Sequence, residues 1–321
     1  MVAANLLTMV RKDTVELESY IKIKKSHFLI LKNIPVFKKT SDDSFILYKS
    51  GKKDLDDFLF SKDLLPDLYI NKKDKVNSIA EITNALTLEL YNQMKSQGLK
   101  QVKKIFIEIF EEVTSNPTSQ SLDCLPETIE ILFKGYSNNT DLIKKLTEIS
   151  SKDYSFAEHS SNVMFFVMNY CIYCNYSGSD VRRLSLGGLL HDIGKIKLPD
   201  DICGADHFLS GDEFNLFKSH TSLGHDILKH NDNFDDSVAI GALEHHEKLD
   251  GSGYPRGITH ISFEGQLFGI INSFEQLAYR EKKYRKAKHP FDAMSTIKDE
   301  TLKQGKFNKE IFINLCKSFA E

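Results

Sequence analysis

Apolar residues recur at helical spacing from about Ser78 onward, whereas the chain before it carries short β-prone runs. Between residues 14 and 70, SYIKIKKSHFLIL and SFILYKSGKKDL mix β-formers with turn residues, LPDLYINKKD closes the region, and the YKSGK turn fits a hairpin. SIAEITNALTLELYNQMKSQG and QVKKIFIEIFEEV then predict two amphipathic helices. TSNPTSQS (114–121) predicts a loop and PETIEILFKGY a further helix. From about Asp141 every segment reads as helix. SFAEHSSNVMFFVMNYCIYCNY is one long apolar helix; DVRRLSLGGLLHDIG is the next, with Asp180 as N-cap and Gly194 as the C′ glycine. SGDEFNLFKSHTSLGHDILKH and DDSVAIGALEHHE follow, then a glycine-rich loop and three more helical segments. The expected architecture is α+β. A β-containing module to about Asp74 and a helical connector to about Gly135 (together 1–135) precede an all-α helical bundle over 136–321.

Composition narrows the function classes. The content is 41% hydrophobic and 27% charged, ordinary for a globular chain. A net charge of −3 argues against a broad DNA, RNA or anionic-membrane surface. No apolar run approaches the roughly 20 residues of a membrane span, and the N-terminal stretch lacks the basic and apolar regions of a secretory signal. Five scattered cysteines fit a reducing, cytoplasmic setting. The pair Cys171 and Cys174 has CxxC spacing inside an apolar helix and reads as two small core residues.

The histidines change the picture. In GGLLHDIGK (187–195), His191 and Asp192 close an apolar helix, and an adjacent imidazole and carboxylate can turn toward one ion. Gly187 and Gly188 each cost about 1 kcal/mol of helix propensity relative to alanine, a cost that makes sense if something approaches the backbone closely. Lys195, one turn on, could hold a phosphate oxygen; a capped helix end with a dipole-favouring lysine is the plainer alternative. His159 sits in the first turn of its helix. His220 lies inside an amphipathic helix, His225 falls on another face, and His245 and His246 close a further helix. Glu247 either orients a histidine or is a solvated helix end. Imidazoles from several helices plus one carboxylate are how a bundle core builds a two-metal site. Imidazole with carboxylate suits iron, manganese or zinc.

HDIGK (191–195), His220 and HHEKLDGSGYPRG (245–257) together resemble the HD-GYP family of the HD phosphohydrolase superfamily, over about Ser155 to Arg285. The resemblance implies an all-helical domain holding divalent metals and hydrolysing cyclic di-GMP to pGpG or GMP. It implies metal roles for His159, His191, Asp192, His220, His245 and His246, catalytic roles for Asp192 and Lys195, and phosphate binding by Lys195. The rim of the site would come from Asp250, Gly251, Gly253, Tyr254 and Pro255. Where the family reads like VADVYDAL, this chain has IINSFEQL (270–277), so Asn272 stands at a metal-ligand aspartate and Glu275 at a second aspartate. Ser155 stands where some members carry a third-metal glutamate, which implies two divalent ions here, iron first, with manganese or another ion as alternatives. EKKYR (281–285) resembles the family's DRPYR, which implies substrate contacts for Lys282 and Arg285.

The expected function is hydrolysis of cyclic di-GMP by metal-activated hydroxide. The rival is a catalytically weak cyclic di-GMP receptor or signalling interaction module, motivated by Asn272 and the altered EKKYR. Signalling proteins are the expected macromolecular partners, residues 1–135 are either a regulatory module or a purely structural one, and the oligomeric state is left open.

Overall fold

The computed structural model describes residues 19–50, 65–96, 98–137, 140–149 and 154–320. The chain divides into two compact units. One is drawn from residues up to Glu89 together with Glu111–Leu122, the other from Leu90–Phe110 and from Asp123 onward.

The first unit contains a four-stranded antiparallel sheet built from β1 (Tyr20–Ile23), β2 (Val36–Lys39), β3 (Phe45–Lys49) and β4 (Leu68–Asn71), in the order β1-β4-β2-β3. Alternation places Ile23, Val36, Leu68 and Ile70 in the core, while Tyr20, Phe37, Phe45 and Tyr69 meet on the other face, Tyr20 stacked on Phe45 at 4.1 Å. Lys49 is buried, and its ammonium donates to the Phe28 and Leu31 carbonyls at 2.9 and 2.7 Å. Of SYIKIKKSHFLIL only the first half is strand; Lys25–Phe28 turns into a 3₁₀ helix. The hairpin that is seen joins β2 to β3 through Thr40–Ser44, with Asp43 at φ 62°. The YKSGK turn expected from sequence runs into residues 51–64, outside the described residues.

The helices, in chain order, are α1 (Lys75–Lys95), α2 (Leu99–Thr114), α3 (Ser119–Leu122), α4 (Leu125–Tyr136), α5 (Thr140–Glu148), α6 (Phe156–Tyr173), α7 (Gly178–Leu190), α8 (Asp200–Cys203), α9 (Gly211–Lys218), α10 (His220–Lys229), α11 (Asp236–Glu244), α12 (Phe263–Tyr279), α13 (Pro290–Leu302) and α14 (Lys309–Ala320). In the second unit α6 is central. It is apolar around most of its circumference and buried from Ala157 through Cys171, as a helix wrapped by others must be. α5, α7, α12 and α14 pack against it. No helix among the described residues is long and apolar enough to cross a membrane.

Three local expectations change. Ser177, not Asp180, caps α7: its hydroxyl accepts from Asp180 N, leaving Asp180 in the first turn where an acid favours the dipole. The stretch from Ser210 to His230 is two helices, α9 and α10, broken at Ser219, so His220 opens α10 rather than lying within one long helix. Gly194 is no C′ glycine but part of a 3₁₀ segment, Ile193–Lys197. A Cβ there would stand 2.0 Å from the His220 carbonyl oxygen and 2.5 Å from Gly224 N, so the glycine is required by backbone-to-backbone contact. Gly187 and Gly188 do meet close neighbours, the side chains of Phe268 and Val167.

Candidate metal centre

Six of the residues singled out in the sequence converge. Asp192, His220, His245 and His246 form one group of ligand atoms within 4.8 Å of one another, and His159, His191 and Asp192 form a second. Asp192 belongs to both. Its Oδ2 lies 3.2 Å from His159 Nε2 and 3.3 Å from His191 Nε2; its Oδ1 lies 3.2 Å from His220 Nε2 and 3.4 Å from His245 Nε2. Each carboxylate oxygen thus faces its own pair of imidazoles.

Local structure fixes the ring orientations. The last carbonyls of a helix have no intrahelical partner. His191 caps α7 and its Nδ1 meets the Gly188 carbonyl at 2.8 Å; His245 caps α11 and its Nδ1 meets the Ala242 carbonyl at 2.8 Å. His220, just past the end of α9, bonds the Phe217 carbonyl at 2.6 Å in the same way. A carbonyl only accepts, so in each ring Nδ1 carries the proton and Nε2 presents a lone pair. His159 is different. It lies in the first turn of α6, where the unpaired backbone groups are N–H donors, and its Nδ1 instead meets Glu275 Oε2 at 2.6 Å. Tyr154 OH donates to the same oxygen. His246 is oriented by stacking on Tyr254, with ring centroids 4.5 Å apart.

Electrostatics agree with cation ligation. Burial pushes His191 below the ordinary imidazole range, His245 to about 3, and His246 well below, reinforced there by His245. Burial also opposes charge on His159, but Glu275 and Asp192 outweigh it and raise that ring. Burial would lift Asp192; the Lys195 ammonium bonded to Oδ2, with His191 and His159, holds its carboxyl well below the usual range. His191 and His245, pushed toward the neutral form, therefore aim Nε2 lone pairs at an ionised carboxylate, and among the described residues buried Asp192 Oδ1 and His246 Nε2 have no hydrogen-bond partner. Lone pairs facing lone pairs are stable only around a positive charge, and the donor set, nitrogen with carboxylate oxygen, suits a divalent transition metal. The residues present fit such an ion.

The remaining expected residues lie in two places. Gly251 (φ 78°), Gly253, Tyr254 and Pro255 form a loop against His246. A Cβ on Gly253 would stand 2.4 Å from Lys248 N and 2.5 Å from Glu247 Cα, so only glycine lets the loop fold back on the histidine pair. Asp250 is exposed and closes its own turn, accepting from Ser252 N and Oγ at 3.0 and 2.7 Å. Glu247 is neither a histidine partner nor a solvated helix end. It is buried, and its carboxylate accepts from Arg256 N and Ile258 N at 2.7 and 3.1 Å, fastening the far side of the loop. Asn272, buried on α12, accepts at Oδ1 from Gln276 Nε2 at 2.8 Å.

Lys195, His159, Tyr154 and Arg280 line a cavity of about 350 Å³ beside the cluster, at the small end of the size range for ligand sites. Lys282 and Arg285 pair their backbones in a tight turn beyond α12, and the Lys282 ammonium donates to the Ala205 carbonyl. Burial, with Arg280 nearby, lowers Lys282 to about 8. Arg285 donates through Nη2 to the carbonyls of Gln276 and Arg280 at 2.8 and 3.2 Å, closing the end of α12, while its Nη1 is buried with no partner among the described residues. A wider groove of about 550 Å³ near Tyr170 and Tyr176 has no metal-ligating cluster among the described residues. Sequence reasoning gave no role to Tyr154 or Arg280, and for Glu275 it noted only the replaced aspartate. The available signal was an acid three residues after Asn272, on the same side of the helix.

Residues 146–310 match the family model described as HD domain. A cyclic di-GMP phosphodiesterase of Thermotoga maritima is 27% identical over 288 residues, covering 87% of this chain and 70% of that protein. The cyclic di-GMP phosphodiesterase response regulator RpfG of Xanthomonas campestris is 36% identical over 104 residues, 32% of this chain and 28% of that one. Among solved structures, Bd1817, an HDG"Y"P protein from Bdellovibrio bacteriovorus, superposes with a TM-score of 0.64 at 18% identity, covering 94% of this chain and all of that one, a likeness of fold. With the HD pair at His191 and Asp192 and the glycine-tyrosine-proline loop folded onto His246, the chain belongs to the HD domain family, in its HD-GYP branch.

Proposed function

We propose that this chain is a metal-dependent phosphodiesterase acting on cyclic di-GMP and releasing pGpG, GMP or both. The observation that carries the reading is the division of Asp192's two oxygens between two imidazole pairs, next to a cavity lined by Lys195. The relatives named above support the substrate. His159, His191 and Asp192 would hold one divalent ion, and Asp192, His220, His245 and His246 the other, with iron the first choice and Asn272 a weaker neutral ligand. Bound there, the ions would supply an activated water as nucleophile and polarise a phosphoryl oxygen.

The chain's own residues do the rest. Asp192 stays ionised and spans both groups. Lys195, held on Asp192, presents positive charge toward the cavity, where it would stabilise the developing charge on phosphorus oxygens. Arg280 lines the same cavity and adds a cationic group suited to the second phosphate of a cyclic dinucleotide, and Lys282 and Arg285, in the turn beyond α12, are the further contacts assigned to substrate. Tyr254 holds His246 and walls the site on the loop side. The catalytic part is assigned to 136–321, and 1–135 to a regulatory role in a cytoplasmic signalling protein.

The test is to load the purified chain anaerobically with ferrous or manganous ion, count bound metal, add cyclic di-GMP and follow linear product by chromatography. Two ions per chain and linear product are expected. Absence of product with every divalent ion tried would sink the enzymatic reading. A second reading, a cyclic di-GMP receptor of weak activity, is favoured by one observation: Asn272 is neutral and its oxygen already accepts a hydrogen bond from Gln276. Binding without turnover, with turnover gained on Asn272→Asp, would select it.

A further inference from the structure

We infer that Lys103, on α2, is a positioning residue for His159, acting through Asn162 and Glu275. The inference rests on the reading of His159 as a metal ligand. The side chains form one unbroken buried chain. Lys103 Nζ donates to Asn162 Oδ1 at 2.7 Å and also to the Ile149 carbonyl. Asn162 Nδ2 donates to Glu275 Oε1 at 2.8 Å. Glu275 Oε2 faces His159 Nδ1 at 2.6 Å. All four residues are buried.

The chemistry of each link sets the direction of the next. An ammonium has donors only, so the asparagine must turn its oxygen toward Lys103. Its amide nitrogen is then committed to Glu275, whose oxygen on that side must accept. The other carboxylate oxygen is left to take a proton from His159 Nδ1, and this places the lone pair of that ring on Nε2, toward Asp192. His191, His220 and His245 obtain the same tautomer from carbonyls of their own helix ends. His159 has no such carbonyl, and the chain from α2 stands in for it. Lys103 is buried, which lowers it to about 8, and Glu158 and Glu275 act as its counter-charges and oppose that fall.

Two variants test this in the full chain, each read twice. Lys103→Met removes the charge at similar volume. Asn162→Asp still accepts from Lys103 but cannot donate to Glu275. In metal-free protein, at a pH high enough to leave His159 neutral, long-range ¹⁵N–¹H NMR of the imidazoles reports which nitrogen of that ring carries the proton. Titration with manganous ion reports affinity in each group. The wild type should show His159 protonated at Nδ1. Both variants should lose that fixed tautomer and bind the ion of the His159 group about 10–100-fold more weakly, with the His220 group unchanged and Lys103→Arg restoring part of the loss. A wild-type tautomer and wild-type affinity in either variant overturn the inference. Should Lys103→Met fail to melt cooperatively, Asn162→Asp decides by the same readouts. If the wild type binds no divalent ion at all, the metal-centre reading fails, while the metal-free tautomer still judges the chain from Lys103.

Discussion

His159, in one half of the histidine cluster, is oriented by different means from His220 and His245 in the other. On the His220 and His245 side, each ring is set by a carbonyl three residues earlier, at or just past a helix end. On the His159 side, the ring is set by Glu275 from another helix, with Tyr154 and the Asn162–Lys103 pair behind it. The difference follows from helix polarity. A histidine at a C-terminus finds unpaired acceptors at hand, whereas one in the first turn finds only unpaired donors. Ligands of the first kind are robust to side-chain substitution around them. Ligands of the second kind depend on a buried polar chain that must be satisfied throughout.

Substitutions can break this contrast. The largest effect is expected from Asp192→Asn, which removes the one charge common to both halves. Bound metal should fall to trace, and hydrolysis by about a thousandfold or more, on the order of 4 kcal/mol, read by elemental analysis and product formation. Next come His159→Ala and His220→Ala, each expected to leave about one ion per chain by elemental analysis; loss of both ions from either would show that the halves do not bind independently. Glu275→Gln should weaken only the His159 half, by about 10–100-fold in metal affinity, and an equal loss in the His220 half would erase the contrast. Gly253→Ala drives a Cβ into Lys248 N and Glu247 Cα; it should lower Tm by a few degrees, about 1–2 kcal/mol, and disturb the His246 side while sparing the Glu275 contact. The smallest change is Asn272→Asp, which restores a charged ligand and should raise turnover or metal affinity by about tenfold or less.

Much of the fold and of the cluster is legible in the sequence because its signals are local. Helical periodicity marks the bundle, HDIGK and HHEKLDGSGYPRG mark helix ends, and a helix end already contains the carbonyls that orient its histidine. The break between α9 and α10 was not legible, since FNLFKSHTSLGHDIL stays amphipathic across Ser219. The role of Gly194 was hidden for another reason: only the approach of α10 gives its missing Cβ a cause. Glu247 shows the same limit, for a glutamate at a helix end looks solvated until the loop it fastens folds over it.

The sequence by itself determined which residues could ligate, which segments are helical and which loop is rich in glycine. Only the tertiary structure decided that Asp192 turns one oxygen to each imidazole pair, that Glu275 rather than backbone orients His159, and that a lysine from α2 stands behind it. The contacts behind His159 join residues 59 to 116 positions apart, and no local pattern encodes a hydrogen bond whose partner arrives from another helix.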